Sequence, residues 1–336
     1  MKQLSNIIEE TVQIQRKGTW LTVRDDVKIV DCTIRDGGLV NDYQFTDEFV
    51  KAVYETCVVS GVDYFEIGKI VSKTVMDPSE YGDWNFCEED AIRRIVGDND
   101  SDLKIAVMAD IGRTFKEEIR PKSESVVDMI RVACYIHQIP AALDIIEDAH
   151  AKGYETTINL MAISKVSETD LDEALALIQT SSVDIIYLVD SFGTFYSEQI
   201  RKLTDKYTTL AKECGKTVGI HAHNNQQLAY SNTIESMIGG TSYLDATIAG
   251  LGRGAGNCPM ELLFGFLRNP KFRMRPLLDF IQKYIIPLRK EISWGFDVAY
   301  MITGQLNEHP RSAISFNKNK RNDYSKFYNE LTDVEE

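Results

Sequence analysis

The chain has 336 residues, 43% hydrophobic and 26% charged, which is ordinary globular composition and excludes collagen-like, disordered and disulfide-scaffold classes. Its 37 basic and 51 acidic residues leave a formal charge of −14, which argues against a nucleic-acid or anionic-membrane surface, because phosphate neutralisation needs clustered Lys and Arg. A small anionic substrate stays compatible, since one Arg and a metal ion reverse the field inside a cleft.

In chain order, short β-rich runs alternate with polar or helical stretches. The runs are Val27–Cys32, Tyr64–Ile67, Leu103–Met108, Met129–Ala133, Thr156–Met161, Val183–Val189, Thr217–Ala222 and Tyr243–Ile248. Between them, Thr46–Val59 gathers Phe49, Val50, Val53, Tyr54, Cys57 and Val58 largely on one helical face, with Thr46 as N-cap. Pro140–Ala151 reads as a helix ending at Gly153, and Thr169–Ile178 and Ser197–Cys214 read as two more, the last closed by Gly215. Alternating strands and helices imply an α/β protein with a parallel sheet, and eight such units favour a closed (β/α)8 TIM barrel over an open doubly wound sheet. After Leu263 the pattern changes: Pro270–Ser293 and Phe296–Leu306 read as helices without strands between them, and the polar end from Asn317 to Glu336 reads as partly mobile. The expected organisation is a catalytic barrel over residues 25–268 and a C-terminal helical extension over 269–336.

Met1–Glu10 lacks the apolar run of a secretory leader, and no segment approaches the roughly 18–20 continuous apolar residues of a membrane span. The six cysteines, Cys32, Cys57, Cys87, Cys134, Cys214 and Cys258, include no Cys-x-x-Cys pair and read as scattered reduced thiols of a cytoplasmic protein.

Three strand ends carry chemistry. His221-Ala222-His223 closes the seventh run, and residues two apart in a strand face the same way, so both imidazoles can address one metal ion. Alone, the pair reads equally well as two polar strand-end residues. Arg35 and Asp36 follow the first run, before Gly37-Gly38. Barrel strands converge at their C-terminal ends, so Asp36 can complete a two-His, one-carboxylate donor set with Arg35 beside it for a carboxylate or a developing enolate. A surface turn is the plain alternative. The loop Gly250–Asn257 after the eighth run has four glycines, fits neither a dinucleotide fingerprint nor a P-loop, and lies where barrels often place substrate loops. Gly252 and Gly254 are its candidate substrate-binding positions, and Asn257 offers an amide oxygen to a metal. Glu66, Asp190 and Ser191 also stand at strand ends, where a helix N-cap is the competing reading. Lys69, Asp110 and Lys165 read as solvated or structural.

In this order, Thr33-Ile34-Arg35-Asp36-Gly37, His221-Ala222-His223-Asn224 and the glycine loop ending in Gly256-Asn257 resemble the metal-dependent aldolase and lyase superfamily, over about Lys28 to Glu261. The resemblance implies Mn²⁺ or Mg²⁺ held by Asp36, His221 and His223, with Asn257 as a further ligand. It implies Arg35 as the enolate-stabilising residue, Glu66 as support for Arg35 and Asp36, and Asp190-Ser191 orienting a 2-oxo acid. The 4-hydroxy-2-oxovalerate aldolases are the nearest subgroup, and Tyr300 matches the tyrosine that their C-terminal helix sends into the site. A packed aromatic is its competing reading. Retro-aldol cleavage of a 4-hydroxy-2-oxo acid is the expected reaction, with a Claisen-type acyl-CoA condensation or a non-catalytic metal-holding barrel as alternatives. The expected assembly is a homodimer, with an aldehyde dehydrogenase as a potential partner. One departure matters: those aldolases carry a basic His three residues after the metal Asp, and here that position is Leu39. Asn307 and His309 are candidate substitutes from the C-terminal extension.

Overall fold

The structure, a computed structural model, describes residues 24–332. The leader reading at Met1–Glu10 and the last four residues of the polar end lie outside the described residues.

Eight parallel strands close into a barrel in sequence order: β1 Lys28–Asp31, β2 Tyr64–Lys69, β3 Lys104–Asp110, β4 Met129–Cys134, β5 Glu155–Leu160, β6 Ile185–Asp190, β7 Thr217–Ala222 and β8 Tyr243–Ala246. Each sequence run falls on one of them. The ring shuts where Lys28–Asp31 pairs residue for residue with Tyr243–Ala246. Strands covered on both faces read as continuous apolar runs, and all six residues of β6, Ile-Ile-Tyr-Leu-Val-Asp, are buried.

Alternation divides the strands between two layers. Outward residues such as Ile29, Phe65, Ile105 and Ile158 join the large core beneath the helices. Inward residues, among them Val30, Tyr64, Met129, Tyr187 and Tyr243, fill the barrel. Gly219 has to lack a side chain, because a Cβ there would stand 2.5 Å from the Tyr187 ring. Between β2 and β3 the register slips at Glu66/Gly68, pairing Lys69 with Met108. Such a bulge reverses the alternation, so Lys69 shares the inward side with Glu66.

The crossovers are α1 Thr33–Gly37, α2 Asp47–Ser60, α3 Glu89–Val96, α4 Ile139–Ala151, α5 Glu168–Gln179, α6 Ser197–Cys214, α7 Ala229–Ile238 and α8 Met260–Leu267. α2 begins where the Thr46 hydroxyl accepts the Phe49 amide at 3.2 Å and stops at left-handed Gly61. The β3–β4 crossover departs from the repeat: it holds two single 3₁₀ turns, Lys116–Glu118 and Lys122–Glu124, and no α-helix.

Beyond the barrel come α9 Met274–Phe280, α10 Val298–Gln305, α11 Arg311–Lys318 and α12 Tyr324–Thr332. The expected single helix over Pro270–Ser293 is corrected. α9 passes through a π-turn at Ile281–Ile285, where the missing N–H of Pro287 leaves the preceding turn without its donor, and regular helix ends at Leu288. The polar end is also more ordered than its composition suggests, because Phe327 of α12 stacks on Phe316 of α11 at 4.5 Å between ring centres. Among the described residues no helix is long and apolar enough to cross a membrane.

Candidate metal and active site

The site lies where the C-terminal strand ends converge. β1 runs directly into α1, whose single turn carries Arg35 and Asp36, both buried. β7 ends in His221 and Ala222, and His223 then forms an isolated bridge with Asn257 of the glycine loop. Sequence positions more than 180 residues apart thereby share one mouth.

Oxygen and nitrogen donors of Asp36, His221 and His223 all lie within 4.8 Å of one another. Asp36 Oδ2 is 3.7 Å from His221 Nε2 and 4.0 Å from His223 Nε2. Burial opposes the Asp36 charge, but its basic surroundings, the His223 and His221 rings and the Arg35 and Arg253 guanidiniums, hold the carboxyl well below the usual range. Burial drives His223 far below the ordinary histidine value, against the pull of Asp36, leaving a neutral imidazole whose Nε2 lies 3.3 Å from Arg253 Nη2. His221 Nδ1 lies 2.9 Å from Asp245 Oδ2, an arrangement that puts the ring proton on Nδ1 and frees Nε2. That Nε2 and Asn257 Oδ1 are buried polar atoms with no protein partner. An orphaned His221 Nε2 beside the Asp36 carboxylate and the His223 ring, with the unpartnered Asn257 oxygen close by, fits a divalent cation.

Cys32, His221 and Asp245 also come within 4.8 Å, but this group does not fit a metal. Burial pushes the Cys32 thiol up, and Arg131 Nη1 already approaches its sulfur at 3.4 Å.

Arg35 is held from both sides: Nη1 donates to Asp36 Oδ2 at 2.6 Å and Nε to Glu66 Oε2 at 2.7 Å. The glycine loop closes over this pair. Arg253 N and Asn257 Nδ2 each donate to Asp36 Oδ1 at 3.0 Å. A Cβ on Gly252 would stand 2.1 Å from Asn257 Nδ2 and 2.6 Å from Asp36 Oδ1, so only glycine fits. Gly254, at φ +66°, backs onto the Tyr300 ring, which would be 3.5 Å from an added Cβ. Tyr300 therefore stands against the glycine loop.

Asp190 and Ser191 reach the site less directly than expected. Asp190 accepts the Thr194 and Phe195 amides at 2.9 and 3.3 Å, and burial nonetheless raises it to about 7. The Ser191 hydroxyl accepts the Ala162 amide at 2.9 Å, while its carbonyl accepts from Arg253 Nη2 at 2.9 Å. Their side chains secure loops, and Ser191 acts through Arg253. His309 lies edge-on to Phe192, ring centres 5.5 Å apart, and accepts the Arg311 amide on Nδ1 at 3.0 Å. Burial and then the Arg253 cation lower it to about 4. An imidazole that accepts on Nδ1 carries its proton on Nε2, so His309 offers a donor where a base was expected. Asn307 Nδ2 is spent on the Ser164 carbonyl at 2.8 Å.

Three residues went unnoticed in the sequence. Arg131, fully buried, pairs with Glu66 Oε2 at 2.9 Å and Asp245 Oδ2 at 2.6 Å, its guanidinium 4.4 Å above the Tyr187 ring. It joins the Arg35 support to the His221 support. Asp245 and Arg253 are the others. Lys69 and Asp110, read as solvated or structural, form a 2.7 Å pair largely shielded from water, the structural alternative.

A closed parallel barrel with a His-His-Asp donor set and an adjacent arginine at its C-terminal mouth defines the class: a metal-dependent lyase barrel. The chain belongs to the HMGL-like family, whose model matches residues 26–282. It is 28% identical to the oxaloacetate decarboxylase of Mycobacterium tuberculosis over 243 residues, 71% of this chain and 69% of that one. It is 27% identical to 4-hydroxy-2-oxovalerate aldolase 6 of Rhodococcus jostii over 245 residues, 72% and 67% of the two chains. Among solved structures, the N-terminal domain of a candidate aldolase from Bacteroides vulgatus matches with a TM-score of 0.71 and 27% identity, over 87% of this chain and 97% of that one. The HMG-CoA lyase of Brucella melitensis matches with a TM-score of 0.64 at 17% identity, over 79% and 99%, a likeness of fold alone.

Proposed function

We propose that the protein cleaves a 4-hydroxy-2-oxo acid to pyruvate and an aldehyde. The observation that carries this is Arg35, fixed by Glu66 beside the Asp36–His221–His223 donor set. Asp36, His221 and His223, with Asn257, would hold Mn²⁺ or Mg²⁺, which when bound supplies Lewis acidity to the 2-oxo and carboxylate oxygens of the substrate. Arg35 presents its guanidinium to the negative charge that grows on the C2 oxygen as the C3–C4 bond breaks. Asp36 and Glu66, the latter itself paired with Arg131, fix that guanidinium, so no reorganisation is needed as the charge develops. Gly252 and Gly254 let the loop backbone approach the substrate, and Tyr300 walls the cleft. Leu39 carries no proton acceptor, and His309 presents a donor, so the 4-hydroxyl proton leaves to water.

A second reading has its own observation. Breaking the same C3–C4 bond by loss of CO₂ from a 2-oxo diacid requires no proton abstraction, and Leu39 stands where the base would be. The Mycobacterium tuberculosis relative is described as an oxaloacetate decarboxylase.

The test is a panel of 4-hydroxy-2-oxo acids and oxaloacetate with Mn²⁺-loaded protein, assayed for pyruvate, aldehyde and CO₂. Pyruvate with aldehyde is expected, and an Arg35→Met variant should be slower by about 10²-fold or more. Pyruvate with CO₂ alone would select the second reading. Absence of turnover above an Asp36→Asn control would sink both.

A further inference from the structure

The stretch between Asp36 and α2 contains a buried group that the mechanism above does not use. Tyr43 is 3% exposed, yet its hydroxyl has no hydrogen-bond partner. A fully buried phenol normally finds one. Asp110, Arg35, Asp36 and Glu66, from the ends of β3, β1 and β2, are near enough to act on it electrostatically. Arg253, from the glycine loop, feels it too. A buried phenol among the mouth's charges thus keeps one hydrogen bond to give.

The chain has gone to some trouble to place it. Asp42 and Tyr43 are consecutive non-glycine residues at φ +53° and +62°, a strained backbone of the kind that persists only where surrounding contacts over-determine it. Those contacts are present. Tyr43 N donates to the Gly38 carbonyl at 2.8 Å. The ring lies so close over Gly38 that a Cβ there would be 2.1 Å from it, and a Cβ on Gly82 would be 2.0 Å from the Tyr43 carbonyl. Gly38 thus forms the bed on which the ring rests, and Gly82 makes room for the Tyr43 backbone. Gly38 belongs to the same segment that carries Arg35 and Asp36, so the phenol is registered against the metal and enolate groups.

We propose that the Tyr43 hydroxyl is a substrate-contacting donor, hydrogen-bonded to the C4 oxygen of the 4-hydroxy-2-oxo acid. This rests on the aldol reading. The metal donors and Arg35 account for the carboxylate and 2-oxo oxygens, which leaves the C4 oxygen for a group elsewhere in the mouth. In cleavage, the O4–H proton passes to water, the C3–C4 bond breaks, its electron pair forms the C2–C3 enolate, and C4–O becomes the aldehyde carbonyl. The enolate then takes a proton from water at C3. Tyr43 transfers nothing: it stabilises the alkoxide that develops on O4, and burial keeps its phenol in the donor form.

The test separates the two halves of the reaction. Exchange of pyruvate methyl protons in D₂O, followed by NMR, uses the metal and Arg35 but has no C4 oxygen. Tyr43→Phe keeps the ring that fills the bed. It is expected to cleave about 10²-fold more slowly, to exchange pyruvate protons within about 3-fold of wild type, and to bind Mn²⁺ unchanged by calorimetry. Tyr43→His, which keeps an N–H donor and tolerates positive φ, should recover part of the cleavage and stands in if the Phe variant fails to fold. Cleavage by folded Tyr43→Phe within about 2-fold of wild type overturns the proposal. Equal loss of exchange and cleavage also overturns it, because Tyr43 would then act through Arg35 or the donor set. A wild type that exchanges pyruvate but cleaves no 4-hydroxy acid removes the aldol reading itself, and this proposal with it.

Discussion

Replacing Arg131 with Met is expected to cost about 3–5 kcal/mol of folding stability, the range for breaking a buried ion pair from one side. Arg131 is fully buried and neutralises two carboxylates that water does not reach, Glu66 and Asp245. Met fills much of the volume and can still pack on Tyr187, so the loss is electrostatic: Glu66 and Asp245 stay desolvated, with only Arg35 and the His221 ring left to meet them. The sign should reverse in context. Removing the charges together, in the triple variant Arg131→Met, Glu66→Gln, Asp245→Asn, should recover most of the stability, because buried ionic groups replaced as a set often cost little. Urea unfolding of the single and triple variants checks this. Equal destabilisation of the two would show that Arg131 matters through shape alone. The triple variant should be stable yet inactive, since Arg35 and His221 lose their supports.

Asp245→Asn is expected to weaken Mn²⁺ binding by about 10- to 100-fold, the usual effect of removing the carboxylate behind a metal-ligating histidine. Asp245 Oδ2 holds the His221 Nδ1 proton at 2.9 Å and so aims the Nε2 lone pair at Asp36. An amide presents either N–H or C=O there, and the N–H orientation would turn the imidazole's proton onto the metal-facing nitrogen. Calorimetric titration of wild type, Asp245→Asn and His221→Ala should place the Asn variant between the other two. Affinity equal to wild type would mean that ring packing alone orients His221, whose ring meets His223 edge-on with centres 5.0 Å apart.

The fold and the donor set were legible because their signals are local. Each barrel strand is a run of apolar residues that needs no partner to be read, and His221 and His223 announce a shared face by their spacing. Glu66 came as a support only with the family resemblance, and Arg131 and Asp245 were not legible because each is a single residue whose partner lies far along the chain. Arg131 and Asp245 are 114 residues apart. One signal was nevertheless there: Met-Ile-Arg-Val-Ala-Cys and Tyr-Leu-Asp-Ala each place a charge inside an apolar strand, and a charge that cannot reach water must have a buried counter-charge. Tyr43 gave no such hint, since a tyrosine in a polar loop is unremarkable until its backbone angles are known. His309 was named for its chemistry, and its tautomer, set by the Arg311 amide, is invisible in sequence. The irregular turn ahead of Pro287 was readable from that proline, but the helical periodicity on either side concealed it.

The ring of pairings has a consequence for the order of folding. The metal donors come from the first turn after β1, the end of β7 and the loop after β8, and β1 meets β8 only at the final closure of the ring. Contacts at such sequence separation form late, because loop-closure entropy has to be overcome before they add stability. A cation therefore has no early template to bind. It captures the finished barrel and stabilises it by mass action, so in refolding experiments added Mn²⁺ should slow unfolding while leaving the folding rate unchanged.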